Sequence, residues 1–273
     1  MSKKNSKDAA LNGKQDSFTM HAIGTLESVF RQKFSTPRQS GFVPMARGRL
    51  KLRPDISETA LEGVSDYEYV WLIFVFHDGI EKYNQRKGKV HPPKLAGSKV
   101  GVFATRSPHR FNPIGLSLAK LDKVQGRTLF LSGIDLIHGT PILDIKPYHY
   151  KDVLPDFKPP AWIEETKRDP LQVGFDALAK EELSVLASKN GLDFYRDEAE
   201  VTELIVRVLE QNPLSVKAFE KTKTKEGGLY AVALDNLNII YRMEKDQVTI
   251  VKVLYANSFS AIEHSKEWLQ KLV

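Results

Sequence analysis

The chain has 273 residues, 41% of them hydrophobic and 27% charged, with no cysteine and a net charge of +6. That length allows a substantial core, as one large domain or a medium and a small one. The lack of cysteine excludes a disulfide framework, a thiolate metal site and a thiol nucleophile, and suits a reducing, cytoplasmic setting.

Residues Met1–Asp16 are polar and lysine-bearing, without the apolar centre of a secretory leader, and read as a flexible tail. Phe18 to Pro147 reads as a series of short strands: Thr19–Gly24, Gly48–Leu52, Tyr69–His77, Lys99–Ala104, Ile114–Leu121, Thr128–Ile134 and Ile142–Ile145. Ile114, Leu116 and Leu118 alternate with their neighbours, as do Leu129 and Leu131, the pattern of strands with one buried face. Tyr69–Phe76 is apolar on both faces, which places that strand centrally, and its apolar run Val70–Phe76 is far too short to span a bilayer. No long helical pattern separates these strands. The expected fold is mainly β: an antiparallel sheet or barrel rather than a doubly wound parallel sheet.

Pro155, Pro159 and Pro160 mark a linker. Beyond it, apolar residues at helical spacing predict helices over Gly174–Lys189 and Glu198–Gln211. Strands Leu229–Leu234, Leu237–Met243 and Val248–Leu254 follow, the first pair turned at Asp235-Asn236, and Ala261–Leu272 closes the chain as a short helix. The organisation is a tail over 1–16, a β-barrel domain over 17–153 and a small α+β domain over 161–273.

Charge is uneven. Residues 1–160 hold 25 Lys and Arg against 15 Asp and Glu, whereas residues 161–273 hold 15 against 19. Between Lys82 and Arg110 there are eight basic residues and no acidic one, which suits either a polyanion such as RNA or an ordinary solvated loop. Glycine-rich nucleotide loops and a Gly-x-Ser-x-Gly elbow are missing, and seven scattered histidines offer no metal-ligand spacing. What remains is a set of polar residues at strand ends: Thr36-Pro-Arg-Gln39, His77-Asp78, Thr105-Arg-Ser107 and Asp135 through Thr140. Apolar strands that deliver polar ends to one rim build a concave site. Each residue taken alone also has an ordinary structural role, such as a turn cap at Asp135 or Asp144.

The segments Thr36-Pro-Arg-Gln39, Val70-Trp-Leu-Ile-Phe-Val-Phe-His77, Pro92-Pro-Lys-Leu95, Gly101-Val-Phe-Ala-Thr-Arg-Ser107, Asn112-Pro-Ile-Gly115 and Asp135-Leu-Ile-His-Gly-Thr-Pro-Ile-Leu-Asp-Ile-Lys-Pro-Tyr148 resemble the TrmO/TsaA-like family in order and character. The resemblance implies a homodimeric β-barrel enzyme that uses S-adenosylmethionine, and no metal, to methylate the exocyclic amine of threonylcarbamoyl-adenosine beside the anticodon of tRNA. It implies cofactor contacts at Pro37, Arg38, Gln39, His77, Asp78, Arg106, Leu116, Asp135, Leu136, Ile137 and His138. The chain departs from the family at His138, where many members carry Asp, at Phe111, where proline is usual, and at Asn212-Pro-Leu214. In the expected chemistry Asp144 or Asp135 receives the amine proton, while Lys146 and Arg106 hold phosphate or the carboxylate of the threonylcarbamoyl group. The competing readings are a non-catalytic RNA-binding module built on Lys82–Arg110 and a hydrolase using Asp135 and His138.

Overall fold

The computed structural model describes residues 18–34, 36–78, 88–92, 98–154, 156–160, 163, 170–189, 191–211 and 228–256. Its first eight strands are β1 (Gly24–Ser28), β2 (Gly48–Leu52), β3 (Tyr69–Val75), β4 (Lys89–Val90), β5 (Val100–Gly101), β6 (Ile114–Gln125), β7 (Thr128–Ser132) and β8 (Thr140–Pro147). Six of them close an antiparallel barrel in the order β1-β2-β7-β6-β3-β8, while β4 and β5 pair as a separate ribbon. The predicted antiparallel barrel is therefore the fold of this part of the chain.

Alternation decides which side chains fill the barrel. Leu26, Leu50, Val70, Leu72, Phe74, Ala119, Leu129, Leu131 and Ile142 point inward and are buried. Gly115 shares that inward register because the Phe74 ring lies over it; a Cβ there would come within 2.1 Å of the ring. On β8 the register shifts opposite Ile73/Phe74, so that Asp144 pairs with Ile73 and Ile142 with Phe74. The extra residue sends Asp144 to the outer wall with Ile73.

After the barrel come β9 (Gln172–Phe175), α1 (Ala177–Ser188), α2 (Glu198–Glu210), β10 (Gly228–Leu234), β11 (Leu237–Glu244) and β12 (Gln247–Tyr255). The four strands form one sheet, β10-β11-β12-β9, antiparallel except for β9 beside β12. Helix α2 buries Val201, Leu204, Ile205, Val208 and Leu209, the stripe its spacing predicts. In α1 the buried residues are Ala179, Leu183 and Ala187, and Leu178 is exposed.

Three predicted elements are corrected. Strand β1 begins where the predicted Thr19–Gly24 ended: Gly24 starts the strand because a side chain there would strike the Lys51 carbonyl, 2.3 Å away, on β2. Only Val100–Gly101 of Lys99–Ala104 is strand, and Val102–Ala104 winds into a 3-10 turn. The helix expected from Gly174 starts at Ala177, after a four-residue strand whose backbone pairs with β12. The helix predicted over 261–272 lies outside the described residues.

One apolar cluster runs from the barrel interior into the α+β layer. The contact is made at one barrel end. Phe30 bridges Leu234, the Tyr195 hydroxyl donates to the Met45 carbonyl at 2.7 Å, and Arg47 donates to the Phe194 carbonyl at 3.0 Å.

Candidate functional site

Antiparallel pairing brings the segments after β1, β3 and β7 and the segment before β6 to that same barrel end. They carry residues 29–47, 76–78, 133–139 and 102–113. Rigid strands thus deliver polar ends to one rim.

Asp135 is the most constrained residue there. Ser117 Oγ donates to Oδ1 of Asp135 from inside the barrel, and the Ser40 N–H bonds the same carboxylate. Burial pushes the Asp135 carboxyl above the ordinary range, against the pull of those hydrogen bonds and of the nearby Arg106 charge. Ser40, just after Gln39, therefore meets Asp135 directly, and the Arg106 charge acts on it through space. Pro37 is buried beneath this loop, while Arg38 and Gln39 are exposed.

His77 and Asp78 extend the rim. Lys33 Nζ reaches Asp78 Oδ2 at 2.9 Å and the Asp78 carbonyl at 2.8 Å, which ties the 31–40 loop to the end of β3. His77 Nε2 lies 3.9 Å from where a side chain on Gly139 would begin, so His77 faces the 135–139 loop. Burial lowers its imidazole below the usual value, with Asp78 opposing and Lys33 adding to the effect.

The 135–139 loop is held by backbone bonds: His138 N–H to the Phe30 carbonyl and Gly139 N–H to the Leu26 carbonyl, both at 2.8 Å. Ser28 Oγ donates to the Leu136 carbonyl at 2.6 Å, and Leu136 is buried. Thr140 Oγ1 caps the Ile137 carbonyl at 2.6 Å. His138 Nδ1 accepts from Arg31 Nη1 at 2.6 Å. In the 105–110 loop Arg110 folds back onto the Thr105 carbonyl at 2.7 Å, leaving Arg106 exposed.

Three expected site residues stand elsewhere. Leu116, 57% exposed, faces outward on β6 opposite Ile73. Asp144 lies across Ile73 from it, and Lys146 pairs with Trp71 one step further along. Asp144 Oδ2 and Lys146 Nζ form an ion pair at 3.2 Å with both side chains at least half exposed. The expected residues thus fall into two groups, a rim cluster and an outer-wall row.

Ser28, Arg31, Lys33, Ser40 and Ser117 belong to the rim and escaped the sequence reading. None had a legible signal: the alternation of Ile114, Leu116 and Leu118 assigns Ser117 to the solvent face, whereas in the structure Gly115, Ser117 and Ala119 point inward. A shallow depression on the outer face of α2, lined by Asp197, Glu198, Glu203 and Glu210, contains none of these residues. Among the described residues no helix is long and apolar enough to cross a membrane, and no group of His, Asp or Glu side chains is arranged to hold a metal ion.

The model of the tRNA-methyltransferase O N-terminal domain matches residues 25–152, the barrel and its rim. The tRNA (adenine(37)-N6)-methyltransferase of Escherichia coli is 35% identical over 234 residues, covering 83% of this chain and 94% of the relative. The chain belongs to the tRNA-methyltransferase O family. A putative S-adenosylmethionine-dependent methyltransferase of Pseudomonas aeruginosa is 47% identical over 143 residues, 51% of this chain and 59% of that one. The crystal structure of TrmO from P. aeruginosa superposes with a TM-score of 0.68 at 32% identity, over 88% of this chain and 97% of that structure. Against mammalian relatives of the same name as the E. coli protein, the chain spans only about a third of their length.

Proposed function

We propose that the protein transfers a methyl group from S-adenosylmethionine to the exocyclic amine of adenosine 37 in tRNA, and that the acceptor is the threonylcarbamoyl form of that adenosine. The observation that carries this reading is the rim where the Ser40 N–H bonds Asp135, within the field of Arg106, and His77 faces the 135–139 loop, in a family whose E. coli relative carries the corresponding name.

The rim fits the cofactor by chemical type. S-adenosylmethionine presents an ammonium, a carboxylate, ribose hydroxyls and an adenine. The rim offers a half-buried carboxylate, a guanidinium, two imidazoles and backbone donors held by short loops. We assign the cofactor to Pro37, Arg38, Gln39, His77, Asp78, Arg106 and Asp135 through His138. When bound, it supplies an electrophilic methyl on a sulfonium. The chain has to hold the acceptor amine in line with that methyl, and such positioning supplies much of the acceleration.

The amine also sheds a proton. Asp144 is the proposed acceptor and Lys146 its ion-pair partner and a contact for the acceptor's carboxylate. Both lie on the outer wall beside Leu116, next to the partly exposed Ile114. An apolar row flanking a charge pair is a surface suited to a second copy of the chain, which would remove the pair from water. The expected solution state is a homodimer; sedimentation equilibrium at micromolar concentration giving only monomer would end that reading.

Incubation of purified protein with S-adenosylmethionine and threonylcarbamoylated tRNA, followed by nucleoside mass spectrometry, tests the activity. Wild type is expected to add one methyl to the modified adenosine and little to unmodified tRNA. Asp144→Asn is expected to lower kcat by about 10²–10⁴-fold, the usual worth of a positioned base. Unchanged turnover removes Asp144 from that role.

A further inference from the structure

We propose that Phe103 and Phe111 form an aromatic platform on which the protein stacks the unpaired base of a nucleotide adjoining adenosine 37, so that the tRNA loop is held while the amine is methylated. This deepens the functional reading above and rests on it. Phe103 is 76% exposed and Phe111 41% exposed. Their ring centroids lie 5.6 Å apart with the planes at 34°, within the range of a favourable aromatic pair. One exposed phenylalanine carries no message. Two in ring contact, with most of Phe103 still facing water, leave a flat apolar surface that the fold does not use.

The platform stands on a stiff frame. Phe103 lies in the 3-10 turn Val102–Ala104, which is anchored by the buried Val102. The Val102 N–H donates to the Gly88 carbonyl at 3.0 Å, and the Val102 carbonyl accepts from the Thr105 N–H at 3.1 Å and from Thr105 Oγ1 at 2.8 Å. On the other arm, Arg110 Nη1 crosses to the Thr105 carbonyl at 2.7 Å. The Pro113 carbonyl accepts from the Phe76 N–H at 2.8 Å, which fastens the Phe111 arm to the end of β3. An aromatic ring has only two side-chain torsions to fix, so little freedom is lost when a base lands on it.

Charge says what lands there. Lys89 is in register with Gly101, two residues before Phe103; Lys99 leads into the same arm, and both lysines are exposed. From Lys82 to Arg110 the chain holds eight basic residues and no acidic one. Cations suit phosphates, and every base presents a flat face that a phenyl ring accepts. Unpaired loop bases can be splayed out for stacking. The place fits as well. Phe103 is three residues from Arg106, at most about 11 Å of chain, and the Arg106 charge acts on Asp135 at the rim.

Binding of an anticodon stem-loop RNA to the full chain, read by fluorescence anisotropy, tests the platform. Phe103→Ala is expected to raise the RNA Kd and the KM for tRNA by about 5–150-fold, the usual range for one base–aromatic stack. Phe103→Tyr, which keeps a ring, is expected to recover most of that loss. Phe111→Ala removes only the backing ring and is expected to weaken RNA binding by about 2–12-fold. An equal rise in the cofactor Kd of Phe103→Ala means that the ring serves the cofactor, and overturns the proposal. Lys99→Gln is expected to lower the slope of log Kd against log salt by about one, and Phe103→Ala to leave it unchanged. A lower slope in Phe103→Ala reports a displaced loop and defeats the stacking role.

Abasic RNAs identify the partner. With the base on one side or the other of adenosine 37 removed, one of the two RNAs is expected to bind wild type more weakly by the factor that Phe103→Ala loses. That same RNA is expected to bind Phe103→Ala with little further loss. If neither RNA behaves so, the proposal fails. Altered subunit association of RNA-free Phe103→Ala with unaltered RNA affinity assigns the pair to a protein contact instead. Wild type that binds no RNA defeats the functional reading; wild type and Phe103→Ala that bind and methylate equally well defeat this inference alone.

Discussion

Asp135→Asn is expected to make the protein more stable and less active at neutral pH. The Asp135 carboxylate is largely buried, and burial outweighs Ser117, Ser40 and Arg106 in raising its pKa. A carboxyl whose folded pKa lies above its unfolded value contributes stability below the ordinary range of about 4 and loses it as pH rises through the folded value. At neutral pH the ionised Asp135 therefore works against folding. The amide removes that charge without breaking the local bonds. Its Oδ1 can keep the Ser40 N–H, and its Nδ2 can donate to Ser117 Oγ, because a hydroxyl serves as donor or acceptor. A gain of about 0.5–2 kcal/mol is expected, or roughly 2–6 °C in Tm for a chain of this size. The gain should fade as pH is lowered toward about 4, where the wild-type carboxyl is protonated as well. On the functional side the amide cannot offer a charged acceptor to an ammonium or hydroxyl donor. Cofactor affinity is expected to fall by about 10–100-fold, the worth of a charge-assisted bond. Calorimetry across pH together with equilibrium dialysis checks both halves. A variant less stable than wild type at neutral pH means that Asp135 is a structural anion, not a strained functional one.

That opposition between stability and ligand binding explains why some of the site could be read in the sequence and some could not. Strands were legible in Tyr69–Val75, apolar throughout, and in the alternating Ile114–Leu121, but the buried face of the second was read the wrong way round: Gly115, Ser117 and Ala119 point into the barrel, and Ile114 and Leu116 face outward. The rim loops were legible because Thr105, Arg106, Asp135 and His138 are polar residues that no core would take. Gly24 misled because glycine in a strand reads as a stop, whereas here it lets β2 approach closely. Strand β9 left no periodic signal in four residues, since it depends on β12 for its hydrogen bonds. Arg31 was hidden for a different reason. In sequence it is one more basic residue in a basic half; its partners, Asp193, Asp235 and Asn236, lie more than 160 positions away. No local pattern reports a contact of that kind. The outward turn of Asp144 was equally hidden, because it depends on a one-residue register shift between β3 and β8.

The same long-range joint carries the largest expected loss of stability. Asp235 is fully buried at the β10–β11 turn, with φ of 52°, in the left-handed region. Its two carboxylate oxygens accept from the Asp193 N–H at 2.8 Å and the Phe194 N–H at 2.9 Å. Its own N–H donates to the Val29 carbonyl at 2.8 Å, and its carbonyl takes Arg31 Nε. One residue thus joins the turn, the 192–195 segment and the barrel rim. Asp235→Ala leaves two buried N–H groups without acceptors, at about 1–3 kcal/mol each. It also places a residue poorly suited to positive φ there, at about 1–2 kcal/mol. A loss of roughly 3–8 kcal/mol is a large share of the 5–15 kcal/mol typical of folded domains, and Tm should fall by on the order of 10 °C. Asp235→Asn separates the causes. Asparagine tolerates the left-handed backbone, and it removes a charge that burial disfavours. Yet the two backbone donors point at different oxygens, so the amide sets an NH2 against one of them, and a backbone N–H, unlike the Ser117 hydroxyl, cannot reverse its role. The asparagine variant is therefore expected to lose about 1–3 kcal/mol, where the same exchange at Asp135 gains. Chemical denaturation of the two asparagine variants side by side decides the matter. If both are stabilised, buried charge alone governs these sites; opposite signs mean that the identity of the donors does.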